Sequence, residues 1–251
     1  MSRIPPPPVI SWRALGVCLT VLMLNVQAPT AQAALTIGAT RVVFDSDKRS
    51  TSVIVANPSN RPFAVQTWVN TASDDDTVAV PFIPSPPLFR LNPGKEQQVQ
   101  INGLPNMLPS DRESLFYFNV QEIPQADGND SNVLNIALRT RIKLFYRPVQ
   151  LKDNPVTRLK DLQWSIKDLN GQPHLMVDNP TPFHVSFVRI EMTGNGEHQA
   201  IKNPDMVEPL SRQTFALNPG KSSQGLQVVF SAINDYGGYT VPLTVPIQLA
   251  P

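Results

Sequence analysis

Asn132-Val-Leu-Asn-Ile-Ala-Leu-Arg-Thr-Arg-Ile-Lys-Leu-Phe-Tyr-Arg-Pro148 is the stretch on which the reading of the fold turns. Its even-numbered positions, Leu134, Ile136, Leu138, Thr140, Ile142, Leu144 and Tyr146, are mostly apolar, whereas the odd ones include Asn135, Arg139, Arg141, Lys143 and Arg147. A period of two puts these sets on opposite faces of an extended strand; a helix would scatter the apolar residues around its circumference. The pattern lasts roughly fourteen residues, against about 5–6 for a mean strand. A strand this long either lines its own sandwich core or offers its apolar row to another chain, and periodicity alone leaves both open.

The N-terminus reads as a targeting segment. Arg3 and Arg13 supply positive charge, no acidic residue precedes Asp45, and residues 14–26 form a mostly apolar run too short to span a bilayer comfortably. Ala31-Gln32-Ala33 is a small-x-small cleavage site, so residues 1–33 are expected to be a signal peptide removed before Ala34. The single cysteine, Cys18, falls inside this leader. The exported chain therefore has no thiol, which excludes disulfides, cysteine nucleophiles and zinc–thiolate sites.

Two of the 21 basic residues lie in the leader, which leaves 19 against 20 acidic ones. That balance argues against nucleic acid as a partner. No second long apolar stretch follows, so no direct membrane insertion is expected. The 26 prolines against 12 glycines suit many short strands separated by stiff turns. Expected strands cover residues 35–37, 41–44, 50–56, 63–69, 88–91, 97–101 and 114–123, then the long strand. A linker at 151–155 separates domains at 34–150 and 155–251. In the second, strands are expected at 159–166, 175–177, 183–190, 213–217, 227–230 and 239–249.

Two local patterns recur in the same order. Val55-Ala-Asn-Pro58 is echoed by Val177-Asp-Asn-Pro180, and Leu91-Asn-Pro-Gly-Lys95 by Leu217-Asn-Pro-Gly-Lys221. Together they predict two sandwiches of one topology in tandem.

Catalytic signals are nearly absent. The three histidines form no H-E-x-x-H pair, no G-x-S-x-G elbow occurs, and Gly220-Lys-Ser222 lacks the glycine that a phosphate loop needs at 215. Asp74, Asp75 and Asp76 lack the spaced ligands of a calcium loop and read as a solvated loop. No metal, cofactor or enzymatic activity is expected. What remains is binding: an extended peptide can add to a sheet edge, and two cations, Arg41 and Lys143, suit a terminal carboxylate at one end of it.

Several segments together resemble the periplasmic chaperones of the chaperone–usher pilus pathway. Leu108-Pro-Ser-Asp-Arg-Glu-Ser-Leu-Phe-Tyr-Phe-Asn-Val120 looks like that family's signature, continued by Gln121-Glu-Ile-Pro124. Ala39-Thr-Arg-Val-Val-Phe44, Pro87-Leu-Phe-Arg-Leu-Asn-Pro-Gly-Lys95, Arg141-Ile-Lys-Leu-Phe-Tyr-Arg-Pro148 and Ile233-Asn-Asp-Tyr-Gly237 resemble further family segments across the whole exported chain.

The resemblance implies an all-β protein of two immunoglobulin-like β-sandwich domains arranged in an L, acting in the periplasm without ATP. Its partners would be pilus or fimbrial subunits and an outer-membrane usher. Whether the subunit-free form self-associates stays open. The chaperone would lend its long G1 strand to a subunit that lacks one, with Leu134, Ile136 and Leu138 in the subunit's groove. Arg41 and Lys143 match the pair that anchors the subunit's C-terminal carboxylate. Glu113, Arg147 and Asp235 match an interdomain ion network, and the short 124–132 loop matches the short F1–G1 loop type. Strict alternation sets Lys143 on the opposite face from the groove residues; a twist or bulge could turn it toward the cleft, but the sequence shows none, and whether Lys143 faces the cleft stays open. The alternative is a two-domain extracellular adhesin or structural protein of the same fold.

Overall fold

The computed structural model describes residues 35–75, 77–123, 137–194, 197–218 and 225–249. The expected signal peptide, the 124–132 loop, Leu134 and Ile136 lie outside these residues.

Alternating burial builds the first domain. Its strands are β1 (Thr36–Ile37), β2 (Arg41–Asp45), β3 (Ser50–Ala56), β4 (Phe63–Asn70), β5 (Phe82–Ser85), β6 (Leu88–Leu91), β7 (Glu96–Gly103), β8 (Ser114–Ile123) and β9 (Arg139–Arg147). One sheet runs β1-β3-β7-β5 and the other β2-β9-β8-β4-β6. Every second residue points inward, so Val53, Val55, Val99 and Ile101 of one sheet meet Val65, Phe118, Val120 and Leu144 of the other in one core. β5, with Pro84 in it, was not expected as a strand; it survives as an edge strand paired only to β7.

The second domain repeats this construction with β10 (Gln163–Leu169), β11 (Gln172–Asn179), β12 (Phe187–Gly194), β13 (Glu197–Ala200), β14 (Ser211–Ala216), β15 (Gln227–Ala232), β16 (Leu243–Pro246) and β17 (Gln248–Leu249). Its sheets run β14-β11-β10-β17 and β13-β12-β15-β16. Trp164 is buried at the core's centre, its ring 5.2 Å from Phe230 and 5.7 Å from Phe187. The β10–β11 turn is Asn170-Gly171, with φ of 56° and 80°, the left-handed pair that a tight hairpin demands.

Three expected strands are corrected. Residues 155–161 are not extended: a helical turn (Pro155–Arg158) runs into a 3-10 turn (Leu159–Asp161), because Asn154 caps the Val156 amide and proline occupies the first turn. Strand β12 begins only at Phe187, since the residues before it are drawn to the first domain. The expected strand at 239–249 is split: β16 pairs with β15, and the chain past Pro246 changes sheets so that β17 pairs with β10.

The two repeats part company as well. Asn57 and Asn179, both buried, make matching networks. Each side-chain amide donates to the carbonyl four residues on and to one more distant carbonyl. Each side-chain oxygen accepts from the amide and hydroxyl two residues on, those of Ser59 and Thr181. The Leu-Asn-Pro-Gly-Lys motifs, by contrast, are not equivalent. The first precedes β7, which pairs with β3; the second follows β14, which pairs with the corresponding β11. Here the common turn chemistry of Asn-Pro-Gly imitates a repeat.

Candidate functional site

The site grows out of β9. Along one side β8 covers the strand, from Ser114↔Tyr146 to Gln121↔Arg139, with no shift of register. Along the other, β2 pairs with it in parallel, but only from Arg41↔Lys143 to Asp45↔Arg147. The chain before Arg41 leaves for the other sheet, where β1 pairs with β3. Among the described residues, Arg139–Ile142 thus present an open edge. The Glu122 amide donates to the Leu138 carbonyl, so alternation directs the backbone groups of the even residues to β8 and those of Arg139 and Arg141 to the open side.

No bulge turns Lys143, because the register along β9 is unbroken. Its direction follows instead from where the second domain lies. Even-numbered Ile142 and Leu144 enter the first domain's own core. Odd-numbered Lys143, Phe145 and Arg147 face the second domain: Lys143 Nζ donates to Ser186 Oγ (3.2 Å), the Phe145 ring lies 5.3 Å from that of His184, and Arg147 reaches Asp235. Leu138, on the even side but past the core, is 49% exposed.

Arg41 and Lys143 adjoin across the first rung of the β2–β9 ladder. Arg41 is buried, with Nη1 donating to the Ile233 carbonyl (3.0 Å) and its guanidinium over the Phe145 ring. Its Nε has no hydrogen-bond partner among the described residues. Burial lowers the Arg41 pKa, against the opposing charges of Asp235 and Glu113. Burial, then the charge of Arg41, push Lys143 below the ordinary lysine range, with Asp205 opposing. Among the described residues neither cation has a carboxylate in contact, so buried Arg41 and half-buried Lys143 form a positive corner suited to an anion.

Behind this corner Arg147 ties the domains together. It donates through Nε to Glu113 Oε1 (2.8 Å) and in bidentate fashion to Asp235 Oδ2 and Oδ1 (2.7 and 2.8 Å). Glu113, itself buried, also accepts from the His184 amide (2.8 Å) and lies 3.1 Å from His184 Nδ1. Burial alone would lower the Arg147 pKa, but the bonds to Asp235 and the charge of Glu113 outweigh it and raise it. The structure thus brings Glu113, Arg147 and Asp235 into one cluster, beside Arg41 and Lys143.

His184 and Ser186 were not assigned to the site, because nothing in their strand-like surroundings marks them as interdomain contacts. Asp74 lies exposed on its loop, as expected, and in addition its carboxylate ion-pairs with Arg139, whose Nη1 donates to Oδ2 at 3.0 Å, and lies 3.8 Å from Arg141. Among the described residues no His, Cys, Asp and Glu converge as metal ligands, and no helix is long and apolar enough to cross a membrane.

Comparisons with known proteins agree with this architecture. Residues 34–152 match the family described as pili and flagellar-assembly chaperone, PapD N-terminal domain. Residues 157–242 match the pili assembly chaperone PapD, C-terminal domain. The chain is 41% identical over 238 residues to the chaperone protein FimB/FhaD of Bordetella pertussis, covering 91% of this chain and 95% of that one. Among solved structures, the YadV chaperone superposes with a TM-score of 0.73 at 34% identity, over 85% of this chain and 99% of that one. The SafA pilin–SafB chaperone complex of Salmonella enterica gives a TM-score of 0.74 at 28% identity, over 86% of this chain and 98% of the matched one. Its two immunoglobulin-like sandwiches and its matches along both of them place this chain in the family of pilus-assembly chaperones, which are not enzymes.

Proposed function

We propose that the protein is a periplasmic chaperone that captures pilus or fimbrial subunits by lending them β9 and hands them to an outer-membrane usher. The observation that carries this reading is the interrupted ladder along β9. A strand added to the open edge in line with β2, and parallel to β9, ends with its C-terminus at Arg41 and Lys143. Its carboxylate then meets two cations that have no anionic partner among the described residues. The even row, of which Leu138 is described, supplies the apolar side chains that fill a subunit's groove. Leu134 and Ile136 extend that row in sequence. If three such residues are buried, about 1.5–3 kcal/mol apiece favours the complex before ordering costs.

Covering the subunit's groove and its unpaired edges removes an aggregation hazard. Handover to the usher exchanges one strand for another and needs no nucleotide. Residues 1–33, as a cleaved signal peptide, deliver the chain to the periplasm. The Glu113–Arg147–Asp235 cluster fixes the angle between the domains and so the position of the two cations. The test is capture of partners from the native periplasm, followed by mass spectrometry. A small exported β-rich subunit retained by the wild type and lost by Arg41→Ala/Lys143→Ala is the expected result. A partner kept equally by the double variant overturns the anchor.

A further inference from the structure

Arg139 and Arg141 are the two residues whose backbone groups line the open edge, and their side chains are not free. Asp74, on the turn after β4, has a positive φ of 59° and folds over the outward face of the sheet. Its carboxylate binds Arg139 through both terminal nitrogens and accepts from Asn70 Nδ2 (2.8 Å). Asn119, on β8 between them and wholly buried, accepts from Arg139 Nε (3.0 Å) and Nη2 (2.6 Å) and donates to Asn70 Oδ1 (3.0 Å). Arg141 donates to the Thr71 carbonyl of the same turn. Each guanidinium also lies over a ring, Arg139 over Trp68 at 4.8 Å and Arg141 over Tyr117 at 3.8 Å.

A strand flanked on one side only, at the end of a sheet, is where fraying is easiest. From this network we infer that Asp74 is a positioning residue for subunit capture. It clamps the side chains of Arg139 and Arg141 so that their backbone N–H and C=O groups stay extended and in register along the open edge. The inference rests on the strand-lending reading above. A pre-ordered edge pays less conformational entropy on binding, so the clamp acts on affinity through a segment it does not itself offer to the partner. Asp75 makes only local bonds to Thr77 and serves as the control.

The deciding measurement is residue-resolved amide hydrogen exchange on the free, full-length exported chain. The Thr140 and Ile142 amides, directed at β8, are expected to exchange at least about tenfold faster in Asp74→Ala and in Arg139→Gln. Asp74→Glu should restore much of the protection and Asp75→Ala should leave it unchanged. Val53 and Val99, paired in the other sheet, should be unaffected throughout. Unchanged exchange at Thr140 and Ile142, or equal acceleration in the core, overturns the clamp. Because no partner is present, the result is independent of the capture experiment. Loss of the captured subunit in Lys143→Ala with normal exchange in Asp74→Ala refutes the clamp and leaves the function standing. Faster exchange in Asp74→Ala with no partner ever captured by the wild type upholds the clamp and refutes the function.

Discussion

Arg41 and Lys143 face one another across the first rung of the parallel β2–β9 ladder, at the point where β2 stops covering β9. Among the described residues the two cations are held there by neutral acceptors, Ile233 O and Ser186 Oγ. Burial and the charge of Arg41 disfavour the ammonium of Lys143 in the folded state. Its folded pKa is therefore below its unfolded one, so the penalty is present in full at neutral pH and disappears only as pH rises through the lysine range. Lys143→Met should thus raise the melting temperature of the free chaperone by about 2–4 °C, a gain on the order of 1 kcal/mol, while abolishing subunit capture. Calorimetry beside a capture assay checks both halves, and a lower melting temperature would contradict the picture of an uncompensated charge.

The Arg147 cluster should respond unequally to its three members. Glu113 is nearly inaccessible, whereas the Asp235 side chain is 35% exposed. Arg147→Met removes the cation beside the buried Glu113 carboxylate, which keeps only its contacts with His184, and should cost about 3–5 kcal/mol. Asp235→Asn, at the exposed end, should cost about 1 kcal/mol. Denaturant unfolding of the two variants tests the ranking, and equal costs would refute it.

The two asparagine networks give a matched pair of tests, one in each domain. Asn57→Asp and Asn179→Asp keep the acceptor oxygens but remove the amide donors, orphaning two carbonyls each. Each should destabilise its own domain by about 2–4 kcal/mol. Domain-resolved thermal unfolding should show the first domain weakened by one change and the second by the other.

Acid should loosen the clamp on β9. The Arg139 guanidinium, with Asn70, holds the Asp74 carboxyl down at about 2, below its ordinary 3.8. A depressed folded pKa means that the contribution is complete above about pH 5 and is lost as pH falls toward 2. The exchange difference between wild type and Asp74→Asn at Thr140 should accordingly be constant from neutral pH to about pH 5 and vanish near pH 2. A difference that titrates near pH 6–7 would point to another group.

How far the sequence could be read follows from the range of each interaction. β3, β6 and β8 occupy the residues that alternation assigned to them, because a strand packed on one face writes its burial into its own sequence. β9 shares that legibility between Ile142 and Tyr146. The segment before β12 read as strand and keeps only an isolated bridge, Val185 to Val207, because Pro182, His184 and the Ser186 side chain bond Glu113 and Lys143 of the other domain. No local pattern carries such a contact. Asp74 is exposed, as a solvated loop should be, but its ion pair with Arg139 was not legible for the same reason: the partner is 65 residues away. The orientation of Lys143 stayed unresolved because parity separates two faces of a strand without saying which of them meets the second domain.

The most direct test of the account is the direction of the strand added to β9. The only cysteine, Cys18, precedes Ala34, so single cysteines at Leu138 and Thr140 of a chain starting at Ala34 have no internal competitor. Each variant is co-expressed with the captured subunit carrying single cysteines scanned along its last ten or so residues, and disulfide yield is measured. Moving the chaperone cysteine from 138 to 140 should shift the best partner two residues toward the subunit's C-terminus, as a parallel strand ending at Arg41 and Lys143 requires. A shift toward the N-terminus, or no cross-link at any position, would contradict it.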